Sequence, residues 1–253
     1  MTENGKTNIS VNNGIGTITF SHPKSNSLPG NLLRKMADEV ENAGKSDEIK
    51  VIVLQSSGEK AFCAGASFEE LTAITTFESG KEFFMGFGGL IIAMKDCPKF
   101  IITRVQGKAV GGAVGIIAAS DYVLALDTAG IKLSELALGI GPFVIGPAVE
   151  RKAGLSAFNQ LSVSAEWQSA QWAKEHGLYN EVYSNYPDLD SAVSALAESL
   201  SGFSPDAVAE LKSVLWEGTD DWNTLLEKRA EISGRLVLSD YTKKAIARVK
   251  KKE

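Results

Sequence analysis

The stretch FIITRVQGKAVGGAVGIIAASD, from Phe100 to Asp121, holds a β-type run at Phe100-Ile101-Ile102, a small-residue turn at Gly107-Lys108-Ala109-Val110-Gly111-Gly112, and a helix-like run from Gly112 to Ala119. A helix beginning at Gly112 turns its first, unbonded N–H groups and its positive dipole end back toward that turn. An earlier segment repeats the order: Val51-Ile52-Val53-Leu54 leads into Phe62-Cys63-Ala64-Gly65-Ala66. Taken alone, either turn is a strand-to-helix connection that uses small residues for close packing. Together they place bare backbone N–H groups where a developing negative charge can sit, which suggests an oxyanion hole. Two such donors aimed at one oxygen stabilise an enolate or a tetrahedral oxyanion, and losing one typically costs about 10²–10³ in rate.

The surrounding words carry more. The chain reads KAFCAGASFEEL from Lys60 to Leu71, VQGKAVGGAVGIIAASD from Val105 to Asp121 and IKLSELALGIGP from Ile131 to Pro142. HPKSNSL at His22 to Leu28 precedes them and EHGLYNEVY at Glu175 to Tyr183 follows. In this order, over most of the chain, the sequence resembles the crotonase (enoyl-CoA hydratase/isomerase) superfamily. The resemblance implies an α/β crotonase fold, a spiral of ββα repeats followed by a C-terminal α-helical module. It implies that the N–H groups of Ala66 and Gly112 are the oxyanion donors and that the Ala64 carbonyl receives the adenine amino group of coenzyme A.

Ionisable candidates near the two turns are few. Between Cys97 and Val149 the acids are Asp121, Asp127 and Glu135. Asp121 lies where a helix gives way to the run Tyr122-Val123-Leu124-Ala125, a structural position, and Asp127 belongs to a turn with Thr128, Ala129 and Gly130. Glu135 is flanked by Leu133, Leu136 and Leu138, a setting in which a carboxylate faces a polar site or shifts its protonation equilibrium. It also matches the catalytic glutamate of the family's isomerases and the second glutamate of its hydratases. The other hydratase glutamate falls at Gly115, which can neither donate nor accept a proton. Hydration of a conjugated thioester uses two acid/base groups, whereas moving a double bond from the 3,4 to the 2,3 position needs one base. LGIGPF at Leu138 to Phe143 also looks more like the Δ3-Δ2-enoyl-CoA isomerases than the hydratases. The expected activity is therefore an enoyl-CoA isomerase with Glu135 as base. A hydratase or another thioester-enolate reaction is the alternative, and a non-catalytic acyl-CoA-binding scaffold is the second. Ser67 departs from the aspartate of many relatives.

Other chemistry is thinly represented. His22 and His176 lack any metal or triad context, Cys63 and Cys97 lack paired spacing, and neither glycine turn is a nucleotide-binding fingerprint. No metal is expected, and no cofactor beyond the coenzyme A that forms part of the substrate. With 31 acidic against 26 basic residues the net charge is −5, which argues against nucleic-acid and membrane-surface partners. Phosphate recognition then has to be local: Lys24 is the candidate CoA-binding cation, with the basic run Lys243 to Lys252 as another. The absence of a signal-like N-terminus and of a long apolar stretch, with two unpaired cysteines, gives a cytoplasmic expectation.

Along the chain, Ile9–Val11 and Gly16–Phe20 read as a hairpin around Asn12-Asn13-Gly14. Leu32, Leu33, Met36, Val40 and Ala43 mark a helical face, and Phe77 to Met94 a second helix. Beyond Tyr186-Pro187 the pattern is all-helical: Leu189–Leu200, Asp206–Trp216 opened by Ser204-Pro205, Trp222–Leu238, then the basic tail. Residues 1–187 are thus expected to form the acyl-CoA core and 188–253 a helical oligomerisation module that, by the resemblance, packs a homotrimer or dimer of trimers. Trp167, Trp172, Trp216 and Trp222 read as core or interface aromatics.

Overall fold

The computed structural model describes residues 5–250. Strands β1 (Lys6–Asn12) and β2 (Ile15–Ser21) form the antiparallel hairpin, closed by Asn13 and Gly14 at φ of 48° and 81°. Positive φ at both central residues matches the right-handed twist of the flanking strands, which is why Asn-Gly serves there. Each following turn of the spiral supplies one long strand and one short one. The strands are β3 (Val51–Ser56), β4 (Ile101–Val105), β5 (Ala109–Val110), β6 (Tyr122–Leu126), β7 (Ile131–Lys132) and β8 (Glu181–Tyr183). The long ones join a six-stranded sheet of order β1-β2-β3-β4-β6-β8, parallel beyond the hairpin. The short ones build a second layer: β5 pairs with β7, and single bridges add Leu28 to Ala66, Cys63 to Ala109 and Ile131 to Gln168.

The helices are α1 (Gly30–Lys45), α2 (Phe68–Ala73), α3 (Phe77–Asp96), α4 (Gly112–Ala119), α5 (Gly146–Ser164), α6 (Ala170–Glu175), α7 (Tyr186–Ser201), α8 (Pro205–Leu215), α9 (Trp222–Leu236) and α10 (Asp240–Lys250). Alternation along the parallel strands covers both faces of the large sheet, as near-continuous apolar runs require. Val51, Val53, Ile102, Leu124 and Leu126 meet Leu189, Val193 and Ala197 of α7. Ile52, Leu54, Val105 and Val123 face the main core with α1, α3 and α4. The face expected of α1 is the buried one, Leu32, Leu33, Met36, Val40 and Ala43. Pro187 occupies the first turn of α7 behind the Asn185 cap, so a boundary drawn at 187/188 falls inside that helix.

The C-terminal helices share the same core. Trp222, Leu226 and Ala230 of α9 pack into it. Helix α9 crosses α3 where Gly80 and Gly234 meet: a Cβ on Gly80 would lie 2.9 Å from the Gly234 Cα. Helix α8 is fastened by Lys212, whose ammonium is 2.8 Å from Asp121 Oδ2 and also donates to the Lys99 carbonyl. Asp121 accepts the Ile101 N–H as well. Truncating one member of such a buried pair typically costs about 3–5 kcal/mol, which fits the structural role read for Asp121. No helix among the described residues is long and apolar enough to cross a membrane. The basic run continues α10, and its residues 251 and 252 lie outside the described residues.

Candidate active site

The second layer brings the two glycine turns side by side. Leu28 donates to the Gly65 carbonyl (2.8 Å) and accepts from Ser67 N–H (3.2 Å). In this parallel bridge the groups of Ala66 itself take no part, so its N–H faces away from Leu28, and Ala66 lines the cavity. Gly65 makes the turn at φ 91°, where a Cβ would stand 2.8 Å from the Val110 carbonyl oxygen. In the other turn Gly111, at φ 56°, donates its N–H to the Lys132 carbonyl (2.8 Å). Gly112 is the first residue of α4, so its N–H has no acceptor within the helix. A Cβ there would collide with the Phe87 ring at 2.3 Å.

Ala66 and Gly112 line one cavity of about 370 Å³, together with Ala64 and Glu135. The rest of its wall is mostly apolar, including Phe68, Leu71, Phe83, Phe84, Phe87, Phe143 and Ile145. Glu135 immediately precedes a 3₁₀ turn (Leu136–Leu138), and its carbonyl is held by the N–H groups of Leu138 and Ile140. The carboxyl lies against Gly111: a Cβ at that glycine would be 3.0 Å from Oε1. Side-chain oxygen Oε2 is buried without a hydrogen-bond partner. Burial pushes the Glu135 pKa up to about 7, against the opposing pull of the backbone N–H groups of Glu135 and Ser134. It is the one carboxyl lining the cavity among the described residues. A raised carboxyl beside two oriented amides can accept a carbon-bound proton while the amides hold the resulting enolate oxygen.

Four of the residues expected from sequence, Ala64, Ala66, Gly112 and Glu135, therefore converge. Lys24 does not line the cavity: it is exposed and ion-paired with Glu69, in the turn whose Ser25 carbonyl accepts the Ala64 N–H. Ser67 caps α2 by accepting the Glu70 N–H. Gly115 is packed: a Cβ would lie 2.6 Å from Ile145 Cβ and Cγ2. Cys63 is fully buried, which pushes its thiol up to about 12. The helix expected at Phe77 to Met94 supplies Phe83, Phe84 and Phe87 to the cavity wall. The sequence did not single out Phe68, Leu71, Lys132, Phe143, Ile145 and Ser233 as cavity residues, although all line it, since tertiary crossings bring them in.

Two glycine turns and one carboxyl lining a mostly apolar cavity, on this layered α/β fold, are the arrangement that the resemblance to the crotonase superfamily leads one to expect. The family model for enoyl-CoA hydratase/isomerase matches residues 10–250, and the chain belongs to that family, whose members act on acyl-CoA thioesters. Among curated relatives, the carnitinyl-CoA dehydratase of Salmonella enteritidis PT4 is 30% identical over 211 residues, 81% of this chain and 78% of that protein. A peroxisomal Delta(3,5)-Delta(2,4)-dienoyl-CoA isomerase of Arabidopsis thaliana is 28% identical over 186 residues, 68% of this chain and 66% of that protein. The crystal structure of an enoyl-CoA hydratase from Bacillus halodurans superposes with a TM-score of 0.88 over 96% of this chain and 99% of that one; at 21% identity this shows the fold.

Proposed function

We propose that this chain is an enoyl-CoA isomerase that moves a 3,4 double bond to the 2,3 position with Glu135 as the only base. The observation that carries the reading is the pairing of one buried carboxyl, whose Oε2 has no hydrogen-bond partner, with a packed Gly115. Glu135 takes a C2 proton, the Ala66 and Gly112 amides hold the dienolate oxygen, and the same carboxyl returns the proton at C4. The reaction then needs no metal and no cofactor beyond the substrate's own coenzyme A, whose adenine is assigned to the Ala64 carbonyl and a phosphate to Lys24. Ile145 stands where a second acid would have to enter from Gly115, which leaves water without its second partner. The dehydratase relative favours hydration or dehydration as the second reading.

The test is a side-by-side assay of 3-enoyl-CoA and 2-enoyl-CoA thioesters on the wild-type protein and on Glu135→Gln. Isomerisation is expected in the wild type and a fall of about 10²–10⁴ in the variant, with thioester affinity nearly unchanged. Rapid 3-hydroxyacyl-CoA formation without isomerase turnover would transfer the assignment to the hydratase reading.

A further inference from the structure

Three of the four tryptophans are packed as expected: Trp216 stands edge-on to buried Trp222, and Trp172 stacks on His176. Trp167 is different. It is 42% exposed, and two ammonium groups share its ring, Lys108 Nζ at 4.9 Å and Lys132 Nζ at 6.0 Å from the centroid.

The short strands explain the cluster. Val110 lies opposite Lys132 in the β5–β7 pair, so both side chains share a face, and Lys108, two residues before Val110, shares it as well. The antiparallel bridge of Ile131 to Gln168 sets Trp167 beside Lys132. Val110 and Lys132 line the cavity that holds Glu135. Among the described residues neither lysine has an ion-pair partner, although the chain carries 31 acids against 26 bases. Two ammonium groups gathered on one aromatic ring, neither of them ion-paired among the described residues, create a local positive field beside the cavity.

We infer that Lys108, Lys132 and Trp167 form a subsite for a carboxylate at the far end of the acyl group, so that the substrates are short acyl-CoA thioesters of dicarboxylic acids. The inference rests on the acyl-CoA reading above. Position separates this anion from the nucleotide's phosphates. In the small sheet the order runs Leu28, the 63–66 turn, β5, β7, Gln168. Ala64 and its assigned adenine lie on one side of Val110. Lys132 lies on the other, three residues from Glu135, where the acyl group is presented. Substituting the lysine side chains leaves the Lys132 carbonyl free to hold Gly111.

The experiment compares glutaryl-CoA with valeryl-CoA, saturated five-carbon thioesters that differ in a terminal carboxylate, by calorimetric titration of the wild-type protein and of the double variant Lys108→Gln/Lys132→Gln. The double variant is expected to bind glutaryl-CoA at least about tenfold more weakly than wild type, with less than about a twofold change for valeryl-CoA. Equal weakening of both would show that the lysines meet the coenzyme A portion, and no weakening of either would show no anion site; both outcomes overturn the inference and leave the acyl-CoA reading standing. Failure of wild type to bind either thioester would overturn that reading and the subsite with it.

Discussion

A glutamate whose burial outweighs its backbone hydrogen bonds holds its proton more tightly in the folded protein than in the unfolded chain. Burial raises the Glu135 pKa to about 7, so between the ordinary glutamate value near 4.5 and 7 the native state binds more protons than the unfolded one. Stability attributable to this residue is therefore intact below about pH 4.5, falls as pH rises through that window, and stays lowered above it. Glu135→Gln should match wild type in stability near pH 4 and exceed it near pH 8 by on the order of a few kcal/mol. Denaturant unfolding at the two pH values measures this, and a gap that does not change with pH would mean that Glu135 does not titrate in this window. The same carboxyl must be ionised to remove a proton, so activity in the free enzyme should rise through about pH 7. Position and identity of Glu135 were legible in the sequence as an acid in an apolar run. The unpartnered Oε2 was not, because it depends on which walls the fold brings around it.

Among elements, α4 was the most readable, and it starts and ends where its apolar run does, Gly112 to Ala119. Its neighbours decide what its glycines mean. A glutamate restored at position 115 would supply the missing second acid only if there were room for its side chain. Ile145, entering from the start of α5, fills that room. Gly115→Glu is therefore expected to lose at least about 1–3 kcal/mol by overpacking. Adding Ile145→Ala should recover part of that loss, because the two sites touch. Hydration of a 2-enoyl thioester should appear in the double variant rather than in Gly115→Glu alone; an unchanged melting temperature in the single variant would contradict the packing argument. Strands β5 and β7, by contrast, left no trace in the sequence. Two residues are too few to show an alternation, and single bridges complete their layer.

At the scale of the whole molecule, large apolar side chains remain on the surface of two helices. Leu155 and Val163 of α5 are 66% and 68% exposed, and Leu211, Val214 and Leu215 of α8 are about half exposed. Patches of this kind mark contact surfaces, and they fit the proposed trimer or pair of trimers. Light scattering at micromolar concentration should give three or six times the mass of one chain. Leu155→Glu with Val163→Glu should shift it toward the single-chain mass while circular dichroism stays the same. A wild-type protein that runs as one chain would end this proposal. The N-terminal hairpin, helices α1, α3 and α4 and the all-helical segment after Pro187 could be read in advance from hydrophobic spacing and caps. The aromatic wall of the cavity could not, since it gathers residues from Phe68 to Ser233.

The crossing of α3 and α9 at Gly80 and Gly234 also sets a schedule. Ser233 lines a cavity whose other walls include Ala66 and Gly112, more than a hundred residues earlier in the chain. During synthesis the two glycine turns and Glu135 leave the ribosome well before that wall exists. A nascent chain at this stage offers an open trough of phenylalanines rather than a completed cavity to a thioester. Ligand capture is then a late event in the life of each molecule, tied to the docking of α9.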